Sequence, residues 1–407
     1  MRVKLLGLVA RLALALMAAG TLDAQVPRIV AVGDIHGALD PFVGILRAAS
    51  LIDAQQRWIG GSATLVQTGD YTDRGRDVRA VMDLLMALET QAAAAGGRVI
   101  TLLGNHEILN LLGEQRDVTP DIYATFADAQ SDARREAAFE QYAALGAARA
   151  KARATVSEVY TQTREAWMAA HPRGWLEYRE AFGPKGRYGA WLRRRPISAQ
   201  VAGTLFMHAG LNPTAPGDDR ASDAESRVRA QIARMDRFLD RLVDAKLALP
   251  FFTLNEMLQV AAGEIRAVNA VVADAKEKGT APDLRGFDVG LVREGAEVVT
   301  IGEWDVLAEQ GPLWYRGYAI APDAALAGPL QALLSRHNAT RIVVAHSPLQ
   351  ARRIVTRLSG AIVLIDTGML ASTYKGRASA LEIVGHELTA IYEDGRMPLS
   401  RTAAAQP

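Results

Sequence analysis

Seven residues of this chain combine the types and spacing that support a chemistry: Asp34, His36, Asp70, Asn105, His106, His208 and His346. They sit in short runs: Gly33-Asp34-Ile35-His36-Gly37, Gly69-Asp70-Tyr71-Thr72-Asp73-Arg74-Gly75, Gly104-Asn105-His106-Glu107, Met207-His208-Ala209-Gly210 and Ala345-His346-Ser347-Pro348. Carboxylates, imidazoles and an amide, with no sulfur, suit hard or borderline divalent cations. An extended Asp-x-His can aim both side chains at one ion if the chain bends at Gly33 and Gly37. Asp70 has two oxygens and is the natural bridge between two ions. The expected arrangement is therefore one site of Asp34, His36 and Asp70, and a second of Asp70, Asn105, His208 and His346. Two cations about 4 Å apart can polarise a phosphoryl oxygen and generate hydroxide from water, so no protein nucleophile is required. The sequence offers no Gly-x-Ser-x-Gly nucleophile elbow.

Two further residues, together with His106, complete this reading. His106, next to Asn105, should face the same cavity, where a protonated imidazole can donate to a leaving-group oxygen. Asp73 is placed to orient that ring and keep it protonated. Arg74 can grip non-bridging phosphate oxygens bidentately, which a lysine does less well. The helix expected just after Gly75 adds a favourable N-terminal dipole.

Each polar run follows an apolar, β-like stretch. Arg28–Val32, Ala63–Gln67 and Arg98–Leu103 read as buried strands, as do Gly203–His208, Arg341–Ala345 and Ala361–Ile365. Helices are expected after Asp40-Pro41, over Asp77–Leu88 and from Ile108. Strand, loop and helix repeat, with the polar motif after the strand, where α/β sheets form ligand sites. The strands on either side of the central region are expected to share one sheet. Leu381–Val384 and Leu388–Tyr392 read as a hairpin around Gly385-His386. Residues 121–200 and 214–300 read as mainly helical insertions: Ile232, Met235, Phe238, Leu239 and Leu242, for example, recur at helical spacing. Such segments serve either as a cap that selects substrate or as a packing layer. Residues 398–407 read as a disordered tail.

Composition narrows the class. The 407 residues are 49% hydrophobic and 22% charged, with net charge +1 and no block of basic residues. That argues against a nucleic-acid binder. The densest basic run, Arg193-Arg194-Arg195, reads as a solvated patch. Arg2, Lys4 and Arg11 flank the apolar run Leu5–Met17, followed by small residues, which is the pattern of a signal peptide ending near Ala24. The run is short for a membrane span. Its removal leaves 43 basic against 44 acidic residues and implies an exported, periplasmic or secreted chain with no stable membrane insertion. There is no cysteine, which excludes thiolate sites and lipid attachment. His171, His337 and His386 read as surface or capping residues. Asp366, at the end of a strand, reads either as a partner of a metal-bound histidine or as a turn carboxylate.

These motifs, in this order, resemble the calcineurin-like metallophosphoesterases and, within them, the phosphoprotein phosphatases. Asn110-Leu-Leu-Gly113, Met207-His-Ala-Gly-Leu-Asn212, Gly311-Pro-Leu-Trp-Tyr-Arg-Gly317 and Ile365-Asp-Thr-Gly-Met369 bring the chain nearer the Shewanella-like protein phosphatases. The resemblance covers roughly residues 28–115, 201–213 and 310–395. It implies an α/β/β/α sandwich with helical insertions, in one domain over residues 25–397. It also implies the roles given above, with Arg316 as a second phosphate-binding arginine and two ions of Mn or Fe, Zn being chemically suited as well. Ala345-His346-Ser347 departs from the usual Gly-His-Thr. The activity expected is a phosphomonoesterase acting on phosphorylated Ser, Thr or Tyr side chains. The alternatives are a nucleotide pyrophosphohydrolase resembling diadenosine tetraphosphatases, a broad small-molecule phosphatase, and a binding module without catalysis.

Overall fold

In the computed structural model, residues 26–152, 158–217 and 220–399 are described. The expected signal peptide and residues 400–407 lie outside them. The chain begins with β1 (Arg28–Val32), α1 (Leu39–Ala48), β2 (Thr64–Gln67), α2 (Val78–Ala94), β3 (Arg98–Thr101) and α3 (Asn105–Leu112). The first insertion carries α4 (Pro120–Ala124), α5 (Ser131–Ala152), α6 (Arg164–Ala170), α7 (Trp175–Phe182) and α8 (Arg187–Leu192). A hairpin of β4 (Ser198–Val201) and β5 (Thr204–Met207) follows. The second insertion holds α9 (Ala221–Asp244), α10 (Leu254–Glu277) and α11 (Val289–Val298). The chain closes with α12 (Gly317–Ile320), α13 (Asp323–Arg336), β6 (Arg341–Val344), β7 (Val355–Arg357), β8 (Ile362–Leu364), α14 (Ala371–Tyr374), β9 (Ala380–Val384), β10 (Glu387–Tyr392) and β11 (Gly395–Pro398).

The strands divide into two mixed sheets, not the single sheet expected. One has the order β11-β10-β9-β1-β2-β3 and the other β4-β5-β6-β8-β7. The period-2 geometry of a strand explains the pairing of the sheets. Ile29 and Ala31 of β1, Val66 of β2, Val343 of β6 and Val363 of β8 form one buried cluster between the sheets. Their neighbours Val30, Val32, Leu65, Ile342, Val344, Ile362 and Leu364 face a second core shared with the helices. Both strand faces are buried, so the strands read as near-continuous apolar runs. Such runs reveal burial but not which sheet a strand joins, which is why the one-sheet expectation failed.

Several boundaries also moved for physical reasons. Helix α2 runs past Leu88 to Ala94, because no breaker intervenes before Gly96-Gly97. Helix α3 begins at Asn105 rather than Ile108, because the Glu107 carboxylate accepts the Gly104 N–H at 2.8 Å and caps the first turn. Pro398 pairs in β11, so the chain is ordered to that residue. The hairpin around Gly385-His386 is present as expected. Helix α9 buries Val228, Ile232, Met235, Phe238 and Leu242, the face its periodicity predicted, with Leu239 half-buried. Helices α8 and α9 pack on α3, so the insertions form a layer behind that helix.

Candidate active site and metal centre

The parallel strands β1-β2-β3 and β5-β6-β8 both open onto one place at their carboxyl ends. Asp34 follows β1, Asp70 follows β2, Asn105 and His106 open α3 after β3, His208 follows β5, His346 follows β6 and Asp366 follows β8. All seven are buried. The loops that hold them are laced together. The Asp70 carbonyl accepts the N–H groups of Ile35 and His36, both at 2.9 Å, and the His36 carbonyl accepts from Gly75 at 3.0 Å. The His346 N–H donates to Asp34 Oδ1 at 3.2 Å, which ties the two sheets together across the site. Gly37 has φ of 66°, as the expected bend requires, whereas Gly33 is needed for clearance, since a Cβ there would lie 2.9 Å from the Ile365 carbonyl oxygen. His36, Asp70, Asp73, Arg74 and His346 all have φ between 47° and 68°, a left-handed conformation that non-glycine residues adopt only when their surroundings impose it.

The histidine rings face the cavity in a common pattern. A carbonyl only accepts, so the ring nitrogen facing one carries the proton. His36 Nδ1 lies 2.9 Å from the Thr72 carbonyl, His208 Nδ1 lies 3.0 Å from that of Thr68, and His346 Nε2 lies 3.1 Å from that of Trp314. Each ring therefore turns its other nitrogen, a lone-pair donor when the ring is neutral, inward. His36 Nε2 lies 3.7 Å from Asp70 Oδ2, and His208 Nε2 lies 3.3 Å from the same atom. His208 Nε2 is also 2.9 Å from Asn105 Oδ1 and 3.1 Å from His346 Nδ1. Acceptors facing acceptors around a shared carboxylate are the donor set a cation satisfies, and outward hydrogen bonds to carbonyls are how proteins fix metal-binding imidazoles. Two clusters share Asp70, one with His36 and His106 and one with His208 and His346, and a third joins His106 to Asp73 and Asp117. Asp34 borders the two that share Asp70, 3.9 Å from His36 and 3.8 Å from His208.

The electrostatics agree. Burial lowers His36 to about 3, and burial with the nearby His208 lowers His346 to about 2, so both stay neutral and able to bind metal. Asp34 is pushed well above the carboxylate range by burial and by the charges of Asp366 and Asp70. Burial likewise raises Asp366 to about 6, and its Oδ2 is buried with no hydrogen-bond partner. Asp366 Oδ1 accepts from the Gly368 N–H at 3.0 Å, so this residue is a turn carboxylate that also bears on Asp34. Burial opposes charge on Asp70 too, yet the facing histidines hold it well below its ordinary value. A divalent cation would relieve this crowding of carboxylates.

His106 differs from the other three rings. Its Nδ1 meets the Asp73 carboxylate at 2.6 Å rather than a carbonyl. Burial would lower its pKa, but Asp70 and the Asp73 hydrogen bond outweigh that and raise it. Arg74 lies in the cavity, with Nη1 2.8 Å from His36 Nε2. Arg316 stands at the exposed rim, donating to the His346 carbonyl at 2.8 Å and Ser347 Oγ at 3.3 Å. It therefore has a structural tie while remaining beside the site.

Three nearby residues were given no role by the sequence reading. Glu107 accepts the N–H groups of Asp70, Tyr71, Thr72 and Gly104, between 2.7 and 3.0 Å, and so clamps the Asp70 loop to α3. Asp117 lies 3.9 Å from His106 Nδ1 and 4.0 Å from Arg74 Nε. Tyr374 stacks on His36 with centroids 5.7 Å apart and lies under the Arg74 guanidinium at 5.4 Å. Glu107 was visible as part of its motif, whereas Asp117 and Tyr374 belong to no periodic or motif pattern. Away from the site, His171 caps α6 but is buried, His337 caps α13, and His386 is exposed at its turn.

Comparison with known proteins agrees with this geometry. The pattern of the calcineurin-like phosphoesterase family matches residues 27–219. An uncharacterised protein of Schizosaccharomyces pombe is 27% identical over 92% of this chain and 83% of its own length. Shewanella-like protein phosphatase 2 of Arabidopsis thaliana is 45% identical over 23% of this chain and 24% of its own. Shewanella-like protein phosphatase 1 of Plasmodium berghei is 30% identical over 46% of this chain and 39% of its own. Residues 27–219 of this chain carry a calcineurin-like phosphoesterase domain. These relatives support a metal-dependent phosphatase. The fold is shared with a cold-active protein-tyrosine phosphatase of a psychrophilic Shewanella species, at 20% identity and TM-score 0.57, over 92% of this chain and 81% of the other. No helix among the described residues is long and apolar enough to cross a membrane.

Proposed function

We propose that this phosphoesterase hydrolyses phosphate monoesters on protein side chains, with Asp34, His36, Asp70, Asn105, His208 and His346 holding two divalent cations. The observation that carries this reading is the contrast among four buried imidazoles. Three are backed by main-chain carbonyls and present lone pairs around Asp70. The fourth, His106, is backed by the Asp73 carboxylate, and its pKa is raised against the opposing effect of burial. When bound, two such cations supply positive charge to the phosphoryl oxygens and lower the pKa of water. Mn or Fe fits the mixed oxygen and nitrogen donors and the family resemblance, with Zn chemically suited. The protein's own contribution is positioning and proton delivery. Arg74 reaches into the cavity and offers a planar fork to the non-bridging oxygens, and Arg316 at the rim offers a second. His106, held by Asp73 through Nδ1, presents Nε2 to the leaving oxygen and gives it a proton.

The basic, apolar leader-like stretch supports export to the periplasm or beyond, which in turn favours a phosphorylated protein or small phosphoester over a cytosolic dinucleotide. The substrate class is tested by phosphate release with Mn²⁺ from phosphotyrosine peptide, phosphoserine or phosphothreonine peptide, and diadenosine tetraphosphate at equal concentration. Preference for either peptide is expected. Turnover of the dinucleotide alone would overturn the reading.

A further inference from the structure

We propose that Tyr178 and Asn110 are positioning residues for the acid step, coupling the first helical insertion to His106. This rests on His106 acting as general acid. Tyr178 lies on α7, in the insertion, and is fully buried. Its hydroxyl lies 2.5 Å from Asn110 Oδ1. Asn110 is on α3, one turn after His106, and is also buried. Its Nδ2 lies 2.7 Å from Asp73 Oδ1 and 2.9 Å from the His106 carbonyl.

Both of those partners only accept, so the amide nitrogen must face them and the amide oxygen must face Tyr178. Tyr178 then has to donate. The direction of the whole chain is thus fixed from its outer end: Tyr178 donates to Asn110, Asn110 donates to Asp73 Oδ1, and Asp73 Oδ2 accepts from His106 Nδ1. With Oδ1 occupied, Asp73 turns its other oxygen to the imidazole, whose Nε2 is left for the leaving group. Asp73 needs such support because its φ of 68° is not a conformation it would hold by itself. Tyr178 cannot swing aside. Its ring stacks on Phe182 with centroids 4.3 Å apart and is boxed edge-on by Phe126 at 5.0 Å and Tyr123 at 5.3 Å. Without the hydroxyl, Asn110 Oδ1 is a buried acceptor with no donor, and turning the amide to relieve it would set that oxygen against the Asp73 carboxylate.

The test compares Tyr178→Phe, Asn110→Ala and the double variant with His106→Asn. Each is assayed on phenyl phosphate, whose leaving group needs a proton, and on p-nitrophenyl phosphate, whose far more acidic leaving group needs little. Bound metal and melting temperature are recorded for each. Tyr178→Phe should lower kcat on phenyl phosphate ~3–10-fold and Asn110→Ala ~10–100-fold, with KM and metal content unchanged and much smaller losses on p-nitrophenyl phosphate. The double variant should be no worse than Asn110→Ala, since both act through one chain. Equal losses on the two substrates, or none, while His106→Asn shows the gap, would overturn the proposal alone. If His106→Asn shows no gap, the acid assignment falls and this proposal falls with it.

Discussion

His106 and His208 are both buried imidazoles beside Asp70, and what stands behind each ring separates their roles. A carbonyl behind His208 leaves it a lone pair to give, while a carboxylate behind His106 leaves it a proton. Replacing His106 with Asn should lower kcat by about 10²–10⁴-fold on an unactivated phosphoester, with metal content retained. Full activity in that variant would return the chain to a binding role. Arg74→Lys keeps the charge but loses the fork and the stacking over Tyr374, so KM for a phosphopeptide should rise by about tenfold with a smaller change in kcat. An unchanged KM would place phosphate recognition on Arg316 instead. At this scale the sequence placed carboxylates, imidazoles and an amide at strand ends, and the structure brings them into one cavity. What it hid was support from a distance: Tyr178 lies 68 residues from Asn110 and carries no motif.

At the level of elements, the site depends on how closely the Asp70 loop lies on the start of α3. A Cβ at Gly104 would collide with Asp70 Oδ1 and stand 2.6 Å from its N. Gly104→Ala should therefore push the Asp70 carboxylate away, reducing metal loading and activity by at least about tenfold while the far-ultraviolet spectrum stays native. Normal metal loading in that variant would show that the loop has slack that the geometry denies. The repeat of strand, motif and helix was readable because burial imposes period 2 on strands and 3.6 on helices. Strand assignment to two sheets was not, since Ile29 and Val30 look alike in sequence but face different cores.

Across the whole molecule, helices α8 and α9 of the two insertions pack behind α3. The insertions' aromatic core contains His171, stacked on Trp167 with centroids 4.0 Å apart and met edge-on by Trp175 at 4.3 Å. Its Nδ1 donates to the Trp167 carbonyl at 2.6 Å, and Arg135 lies nearby. Burial lowers its pKa to about 4. The unfolded chain, with an ordinary value near 6.5, then binds more protons than the folded one between about pH 6.5 and 4, so stability rises with pH through that window. Wild type should lose about 1–3 kcal/mol between pH 7 and 4.5 through this one group, and His171→Phe should lose correspondingly less. Parallel acid melting curves for the two proteins would contradict this. The sequence read His171 as a surface or capping residue; it caps α6 but is buried, and nothing local announced that burial, which arises from residues that meet only in the fold.

The central claim is that Asp70 joins two cation sites into one phosphatase centre. The most direct measurement is the ratio of Mn²⁺ or Fe bound per chain, taken together with phosphate release, for wild type, Asp70→Ala and Asn105→Ala. Two ions per active wild-type chain, loss of both with Asp70→Ala, and loss of one with Asn105→Ala would bear the account out. Full activity at one ion per chain, or in metal-free protein, would contradict it.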